Sequence, residues 1–277
     1  MPHPEPTPQA TRTADAASAP SAPAPLPTTR VLGVDIARVD YAQALDRIDT
    51  MVETRTRGYV CVAPVHLVML AREDRDLRAA IDAAAFTVPD GMPLVWAMRS
   101  LGHERQSRVY GPELMARACE RAARTGTRMY LYGGRNEGAL VQLTLNLRRR
   151  YPGLRIVGGY APPFRPLTAE EEATVVAEID RSEADVVWVG TGQPKQELWM
   201  ARMRDRLAAP VLVGVGAAFD FHAGLVPQAP HWMQDRGLEW TYRFYQEPRR
   251  LWRRYLRYNP RFLAGFARQY ARYRRGR

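Results

Sequence analysis

The densest group of residues able to bind a ligand lies between Gly190 and Trp199, where the chain reads GTGQPKQELW. The apolar run before it predicts a buried strand that turns into a helix. Glycine allows the backbone to turn tightly and to approach a ligand closely, and a helix N-terminus attracts anions. An ordinary strand-to-helix turn is the alternative. Four clustered polar side chains favour a ligand site, and they are Gln193, Lys195, Gln196 and Glu197.

Two aspartates are candidates for acid–base chemistry. Asp90 stands in a Pro-Asp-Gly sequence at a predicted strand end, where a partly buried carboxylate can act as a general base. It could instead cap the helix that starts near Met92, because Asp is a favoured N-cap. Asp220 lies between two phenylalanines and has the same two interpretations, a carboxylate in an apolar wall or a helix cap.

Metal and cofactor motifs are weak in this sequence. The five histidines have no metal-ligand spacing such as His-Glu-x-x-His, and His66 is expected to be a packed or surface residue. The Asp74–Asp76 segment resembles an Asp-x-Asp metal site, but acidic residues also favour a helix start. The pair Gly133 and Gly134 does not match a dinucleotide-binding fingerprint and is kept as a candidate ligand contact. We expect no metal and no cofactor.

The elements that must position these residues alternate between short β-branched runs and amphipathic stretches. This alternation predicts an α/β fold with a Rossmann-like, mostly parallel sheet flanked by helices. Because ligands bind at the carboxyl ends of such strands, the polar residues and glycines that follow them should meet at one edge. Seven strands are predicted, namely Val31 to Ile36, Gly58 to Ala63, Phe86 to Val88, Arg128 to Tyr132, Leu154 to Val157, Asp185 to Val189 and Pro210 to Val215.

Composition divides the chain of 277 residues into three parts. Residues 1–29 are rich in Pro and Ala and are predicted to be disordered, residues 30–237 form the α/β body, and residues 238–277 form a basic, aromatic helical appendage. From Thr241 onwards there are twelve arginines and one acidic residue, which account for the whole net charge of +11. Two cysteines and no apolar run of membrane-spanning length indicate a cytoplasmic protein.

The appendage should meet something negatively charged. Its aromatic residues recur every three or four positions, which places them on one helical stripe among arginines and favours a helix lying in a membrane interface. The alternative is a helix that packs these rings on the body. Asn259 and Pro260 are predicted to split the segment into two helices. The stripe comprises Trp252, Tyr255, Tyr258, Phe262, Phe266, Tyr270 and Tyr273.

Five ordered motifs resemble the WecG/TagA/CpsF family of bacterial glycosyltransferases over residues 31 to 257. They are Pro89-Asp90-Gly91, Tyr132-Gly133-Gly134, Gly192 to Glu197, Gly216 to Phe221, and Gly237-Leu238-Glu239-Trp240 followed by Gln246 to Arg250.

The resemblance implies a metal-independent, inverting transfer. The donor would be a UDP-sugar carrying ManNAc, ManNAcA or a hexose, and the acceptor a polyprenyl-diphosphate-linked sugar. The reaction would serve exopolysaccharide, teichoic acid or surface-antigen synthesis at the cytoplasmic face of the membrane. By motif position Asp90 is the implied base, and Arg243, Arg250 and Arg253 are the implied phosphate contacts in a membrane-docking appendage.

One position departs from the family pattern. Similar proteins usually carry Asn at the strand end where this chain has Pro64, which offers neither a side-chain amide nor an N–H. One ligand contact is therefore lost or supplied elsewhere. A non-catalytic, membrane-associated UDP-sugar-binding scaffold and a polyanion binder stay as alternatives, although no nucleic-acid-binding module accompanies the basic residues. The oligomeric state is open, and a homo-oligomer is possible.

Overall fold

The computed structural model describes residues 24–230, 232–233, 236–246 and 248–276. Side chains are not described at positions 240, 243, 248–251 and 253–255. Most of the predicted disordered segment, residues 1–23, therefore lies outside the described part of the chain, as do the side chains of Arg243, Arg250, Tyr255 and Arg253.

Six parallel strands form the central sheet. They are β3 (Gly58–Ala63), β4 (Phe86–Pro89), β5 (Arg128–Gly133), β6 (Arg155–Tyr160), β7 (Val186–Gly190) and β8 (Val211–Gly214). Their spatial order is β4-β3-β8-β7-β5-β6. The predicted α/β fold is confirmed, and so are six of the seven predicted strands, since β-branched runs alternate with helices along the chain.

The prediction of one strand from Val31 to Ile36 is wrong. The segment forms an antiparallel hairpin of β1 (Thr28–Val31) and β2 (Val34–Ala37), and this hairpin begins inside the segment predicted to be disordered. Leu32 and Gly33 both have positive φ angles, 49° and 96°, a left-handed conformation that no strand contains. The side-chain amide of Gln269 holds this turn, since its oxygen accepts from Leu32 N at 2.8 Å and its nitrogen donates to the Arg30 carbonyl at 2.6 Å.

Helices cover both faces of the sheet and begin at local caps. Asp40 and Thr168 form capping boxes at the starts of α1 (Tyr41–Glu53) and α7 (Ala169–Arg181). The predicted helix from residue 65 to residue 85 is two helices, because the Asp74 carboxylate accepts from two backbone N–H groups and starts a new one. The helices are α1 (Tyr41–Glu53), α2 (Val65–Leu70), α3 (Arg75–Asp82), α4 (Met92–Ser100), α5 (Gly111–Thr125), α6 (Glu137–Arg150), α7 (Ala169–Arg181), α8 (Lys195–Met203) and α9 (Ala218–His222).

The described part of the C-terminal segment includes the site helix (Glu239–Gln246) and the tail helix (Pro248–Arg275). The predicted break at Asn259 and Pro260 is wrong, since the tail helix continues through the proline. A proline inside a helix costs about 3 kcal/mol. Burial of Tyr258 and Phe262, one on each side of Pro260, offsets this cost.

The aromatic stripe of the tail helix packs mainly on the body. Tyr258 and Phe262 belong to the apolar cluster formed with the hairpin, α2 and α4, and Phe266, Tyr270 and Tyr273 pack against that cluster. Tyr258 and Phe262 are buried by this packing, and the other three rings are partly buried by it, so these five rings follow the alternative of packing on the body. Trp252 stays exposed.

Candidate functional site

A cavity of about 1050 Å³ opens at the carboxyl ends of the parallel strands. Residues that follow β3, β4, β5, β7 and β8 line it, which is the convergence that the sequence predicts. Among the candidate residues, seven reach its wall: Asp90, Gly134, Gln193, Lys195, Gln196, Asp220 and, at the departure from the family pattern, Pro64.

Asp90 follows β4 and contributes its carboxylate to the cavity wall, and it is not a helix cap. The N-cap of α4 is Gly91, with no side-chain cap hydrogen bond, which removes the capping alternative. The Asp90 backbone N–H donates to the Ala63 carbonyl at 3.0 Å and so holds the residue beside β3. Its Oδ1 atom lies 3.4 Å from the Gly111 N–H at the start of α5. The side chain is one-fifth exposed, at 21%, and can meet a substrate.

Arg108 lies between Asp90 and a second carboxylate, that of Glu239. Its Nη2 atom donates to Glu239 Oε2 at 2.6 Å and lies 3.7 Å from Asp90 Oδ1. Its Nε donates to the Asp90 carbonyl, and its guanidinium carbon lies 4.1 Å from the centre of the Tyr110 ring. Burial alone would lower the pKa of Arg108, but the charges of Asp90 and Glu239 raise it.

The polar residues around the start of α8 divide into two groups. Lys195 is exposed and lines the cavity, and Gln193 donates to the Val62 carbonyl at 2.8 Å across the cavity wall. Gln196 is buried and donates to Glu197 Oε1 at 2.8 Å. Glu197 is fully buried behind the wall, so it supports Gln196 and does not line the cavity. Burial raises the pKa of Glu197 to about 7.

Gly133 and Gly134 also differ in what they do. Gly134 lines the cavity before α6. Gly133 does not, and a Cβ atom there would lie 2.6 Å from the Gly190 carbonyl carbon. The missing side chain at Gly133 therefore allows β5 and β7 to pair closely next to the cavity.

Asp220 pairs with Arg135, the residue that follows the two glycines. Arg135 Nε and Nη2 lie 2.9 Å and 3.2 Å from the two Asp220 carboxylate oxygens. The N-cap of α9 is Ala217, so Asp220 is not a cap either. This ion pair joins the loop after β5 to α9 at the cavity wall.

Aromatic rings line another part of the wall. The Tyr132 and Trp199 rings stack with centroids 3.9 Å apart, and the loop 162–167 brings the exposed ring of Phe164 to the same cavity. His66 also lines the cavity and has an edge contact with Tyr258 at 5.1 Å.

Sequence reasoning missed Arg108, Tyr110 and Arg135 as wall residues. Arg108 and Tyr110 lie in a connecting segment with no local pattern, whereas Arg135 follows directly on the glycine pair. Glu239 lies within one of the five motifs that resemble the family, but it was not predicted to be a wall residue. Glu239 is the first residue of the site helix and lines the cavity. Part of the predicted appendage therefore belongs to the cavity wall.

Within the residues that the structure describes, no cluster of three or more His, Cys, Asp or Glu side chains could hold a metal ion. Cys61 and Cys119 are free thiols in the core. None of the described helices is both long enough and apolar enough to cross a membrane.

The model of the glycosyl transferase WecG/TagA/CpsF family matches residues 29–276. The match covers the hairpin, the sheet, the cavity and both C-terminal helices, and it extends beyond the span on which the five motifs rest. The chain belongs to the WecG/TagA/CpsF glycosyltransferase family and is an enzyme that transfers a sugar.

Proposed function

We propose that this glycosyltransferase moves a sugar from a UDP-sugar to a polyprenyl-diphosphate-linked sugar, with inversion and without a metal ion, at the cytoplasmic face of the cell membrane. The observation that carries the proposal is a partly exposed carboxylate, that of Asp90, in the same cavity as the helix N-terminus at Lys195. A proton acceptor and an anion-binding helix end are the two groups that such a reaction needs.

In the proposed reaction, an acceptor hydroxyl oxygen attacks the anomeric carbon while Asp90 takes the hydroxyl proton. The bond between the anomeric carbon and the phosphate oxygen breaks, and UDP leaves with the electron pair. The transition state has oxocarbenium character, as in other glycosyl chemistry. Attack from the face opposite UDP inverts the anomeric centre.

The leaving diphosphate gains negative charge, which the protein must stabilise. Lys195 lines the cavity at the first turn of α8, and the N-terminal end of a helix carries partial positive charge. Gly134 leaves room for a phosphate at the wall, before the start of α6 at Glu137. We assign the donor diphosphate to this region.

The lipid-linked acceptor is assigned to the C-terminal side. Tyr258 and Asn259 of the tail helix line the cavity, and Trp252, Leu256 and Leu263 of the same helix are exposed apolar side chains. Exposed apolar side chains on a basic helix are suited to a membrane interface, so an acceptor could reach the cavity from the bilayer. Arg243, Arg250 and Arg253 remain candidates for its diphosphate.

The substitution Asp90→Asn tests the base assignment. We expect turnover to fall by about 10²- to 10⁴-fold, because the amide cannot take the proton, while the melting temperature changes little. Product is measured by mass spectrometry with a panel of UDP-sugars and a short-chain polyprenyl-diphosphate sugar. Asp76→Asn, at an exposed aspartate of α3, is the matched control. Near-normal turnover of Asp90→Asn would show that Asp90 is not the base.

Pro64 is the observation that bears on the donor sugar. Pro64 lines the cavity but supplies no side-chain hydrogen bond there, so the donor preference of this enzyme should differ from that of family members with an amide side chain at this position. The same donor panel measures this preference.

A further inference from the structure

A second cavity, of about 400 Å³, lies between the hairpin, the segment that joins α2 to α3, and the C-terminal part of the tail helix. We call it the arginine pocket, because four arginines line it together with a helical glycine. These residues are Arg30, Arg72, Gly265, Arg268 and Arg272. The arginine pocket shares no lining residue with the cavity that contains Asp90. Arg268 is nine residues beyond Asn259, a separation of roughly 14 Å along the helix axis.

The arginine pocket carries positive charge that ion pairs within the protein do not neutralise. Arg30 pairs with Asp35, with 3.1 Å between Nε and Oδ1. Within the part of the chain that the structure describes, no carboxylate forms an ion pair with Arg72, Arg268 or Arg272. Three guanidinium groups therefore repel one another across one small cavity. A bound anion would remove this repulsion.

The backbone brings these guanidinium groups together at a position without a side chain. A Cβ atom at Gly265 would lie 3.0 Å from Arg72 Nη1 and 3.3 Å from Leu32 Cδ2. Glycine inside a helix costs about 1 kcal/mol relative to alanine, but at this position it leaves room for the Arg72 guanidinium beside the helix. Arg268 and Arg272 are four positions apart and so lie on one side of the helix, where like charges destabilise it. An anion shared by both would offset that cost.

Contacts within the protein hold the walls of the arginine pocket in place. The side-chain amide of Gln269 bonds to the backbone of the hairpin turn and so fixes the hairpin against the tail helix. The carboxylate next to Arg72 in the sequence, that of Glu73, is engaged by Arg257 and Arg261 at 2.8 Å each. Glu73 is therefore directed to an earlier part of the tail helix. The pocket is preformed and needs no ligand to bring its arginines together.

We propose that the arginine pocket is a second anion site, which binds the phosphate group of a ligand other than the sugar donor and acceptor. Guanidinium groups bind phosphate oxygens through paired N–H donors, and three of them can neutralise the charge of a phosphate or diphosphate. The volume lies within the range of small-molecule sites. A soluble phosphate compound and the headgroup of an anionic phospholipid share this chemistry. The proposal does not depend on the proposed function.

Two double variants of the tail helix test the proposal in the full-length protein. Arg268→Gln with Arg272→Gln removes two charges from the pocket. Arg274→Gln with Arg275→Gln, the matched control, removes the same charge from the same helix at exposed residues that do not line the pocket. Arg72→Gln removes a pocket charge from a different element. All the substituted side chains are exposed, so the melting temperature should change little.

Binding is measured with two probes at constant ionic strength, and neither measurement requires turnover. Calorimetry with inorganic pyrophosphate tests a soluble ligand, and co-sedimentation with phosphatidylglycerol vesicles tests a lipid headgroup. We expect the pocket double variant and Arg72→Gln to weaken binding of at least one probe by about tenfold, and the matched control by less than twofold.

The two probes distinguish the sources of the phosphate. A selective loss with pyrophosphate alone assigns the pocket to a soluble compound, and a selective loss with vesicles alone assigns it to a headgroup. A selective loss with both means that the pocket takes the phosphate group in either form. Equal losses in the pocket and control variants would show an effect of net charge only and would overturn the proposal. Unchanged binding of both probes in the pocket variants would also overturn it.

Discussion

Glu197 shows how a single residue can support a site without touching its ligand. Its carboxylate is fully buried behind the cavity wall and accepts from Gln196, which lines the wall. One carboxylate oxygen, Oε2, has no hydrogen-bond partner within the described part of the chain, and burial raises the pKa of the group to about 7. Ionising such a carboxyl removes stability from the folded state.

Glu197→Gln should therefore change the pH dependence of stability. The folded pKa lies above the unfolded value, so the wild-type protein loses stability as pH rises from near the unfolded pKa to the folded one. Relative to wild type, we expect the variant to gain about 2 to 3 kcal/mol of unfolding free energy between about pH 5 and about pH 8. Urea unfolding at both pH values measures this gain, with Glu104→Gln as an exposed control. A gain that does not depend on pH would contradict the assignment.

At the scale of elements, the tail helix is part of the body's core. Phe262 is 2% exposed and Tyr258 is 7% exposed, and both pack with the hairpin, α2 and α4. Arg257 and Arg261 each pair with Glu73 at 2.8 Å, although exposed pairs of this kind contribute at most about 1 kcal/mol each. Burial of the rings is therefore the main force that holds the helix and carries it through Pro260.

Alanine substitutions at Phe262 and at its neighbour Leu263 distinguish the contribution of side-chain burial to stability from that of helix propensity. We expect Phe262→Ala to lower the unfolding free energy by about 3 to 5 kcal/mol, because it opens a cavity in the core. Leu263 is 65% exposed, so Leu263→Ala should change stability by no more than about 0.5 kcal/mol. Chemical denaturation measures both values. Similar effects from the two variants would mean that the tail helix does not depend on this packing.

At the scale of the whole molecule, the tail helix has two different faces. One face carries the buried rings, and the other carries exposed Trp252, Leu256 and Leu263. Because residues 256 and 263 are seven positions apart, they share one side of the helix. A deletion of the whole segment would remove Glu239 and part of the core, so substitutions at exposed positions test membrane docking more cleanly.

The double variant Leu256→Ser and Leu263→Ser should weaken binding to phosphatidylglycerol vesicles by about tenfold, because both side chains would enter the interface. Added salt should weaken wild-type binding by screening the arginines. Co-sedimentation measures the bound fraction. The matched control replaces two exposed apolar residues of α6, Val141 and Leu145, with serine. If both double variants lose binding equally, docking does not use this face of the tail helix.

The sequence by itself determined the alternation of strands and helices, the strand ends at which Asp90 and Gly192 lie, and the family. These depend on patterns within a few residues of each other, such as β-branched runs, caps and glycine turns. The hairpin at Leu32 and Gly33 was missed because the β-branched residues on both sides of the turn continue one strand pattern.

Only the tertiary structure decided which polar groups share a partner. Arg108 and Glu239 are 131 positions apart, and no local pattern relates them. Local sequence also does not determine burial. Glu197 has the residue type of a ligand contact but lies behind the wall, and the spacing of Phe262 suits either a membrane or a core. Side-chain burial and ion pairing depend on what other elements bring to the same place, so they follow from the packed fold and not from the order of residues.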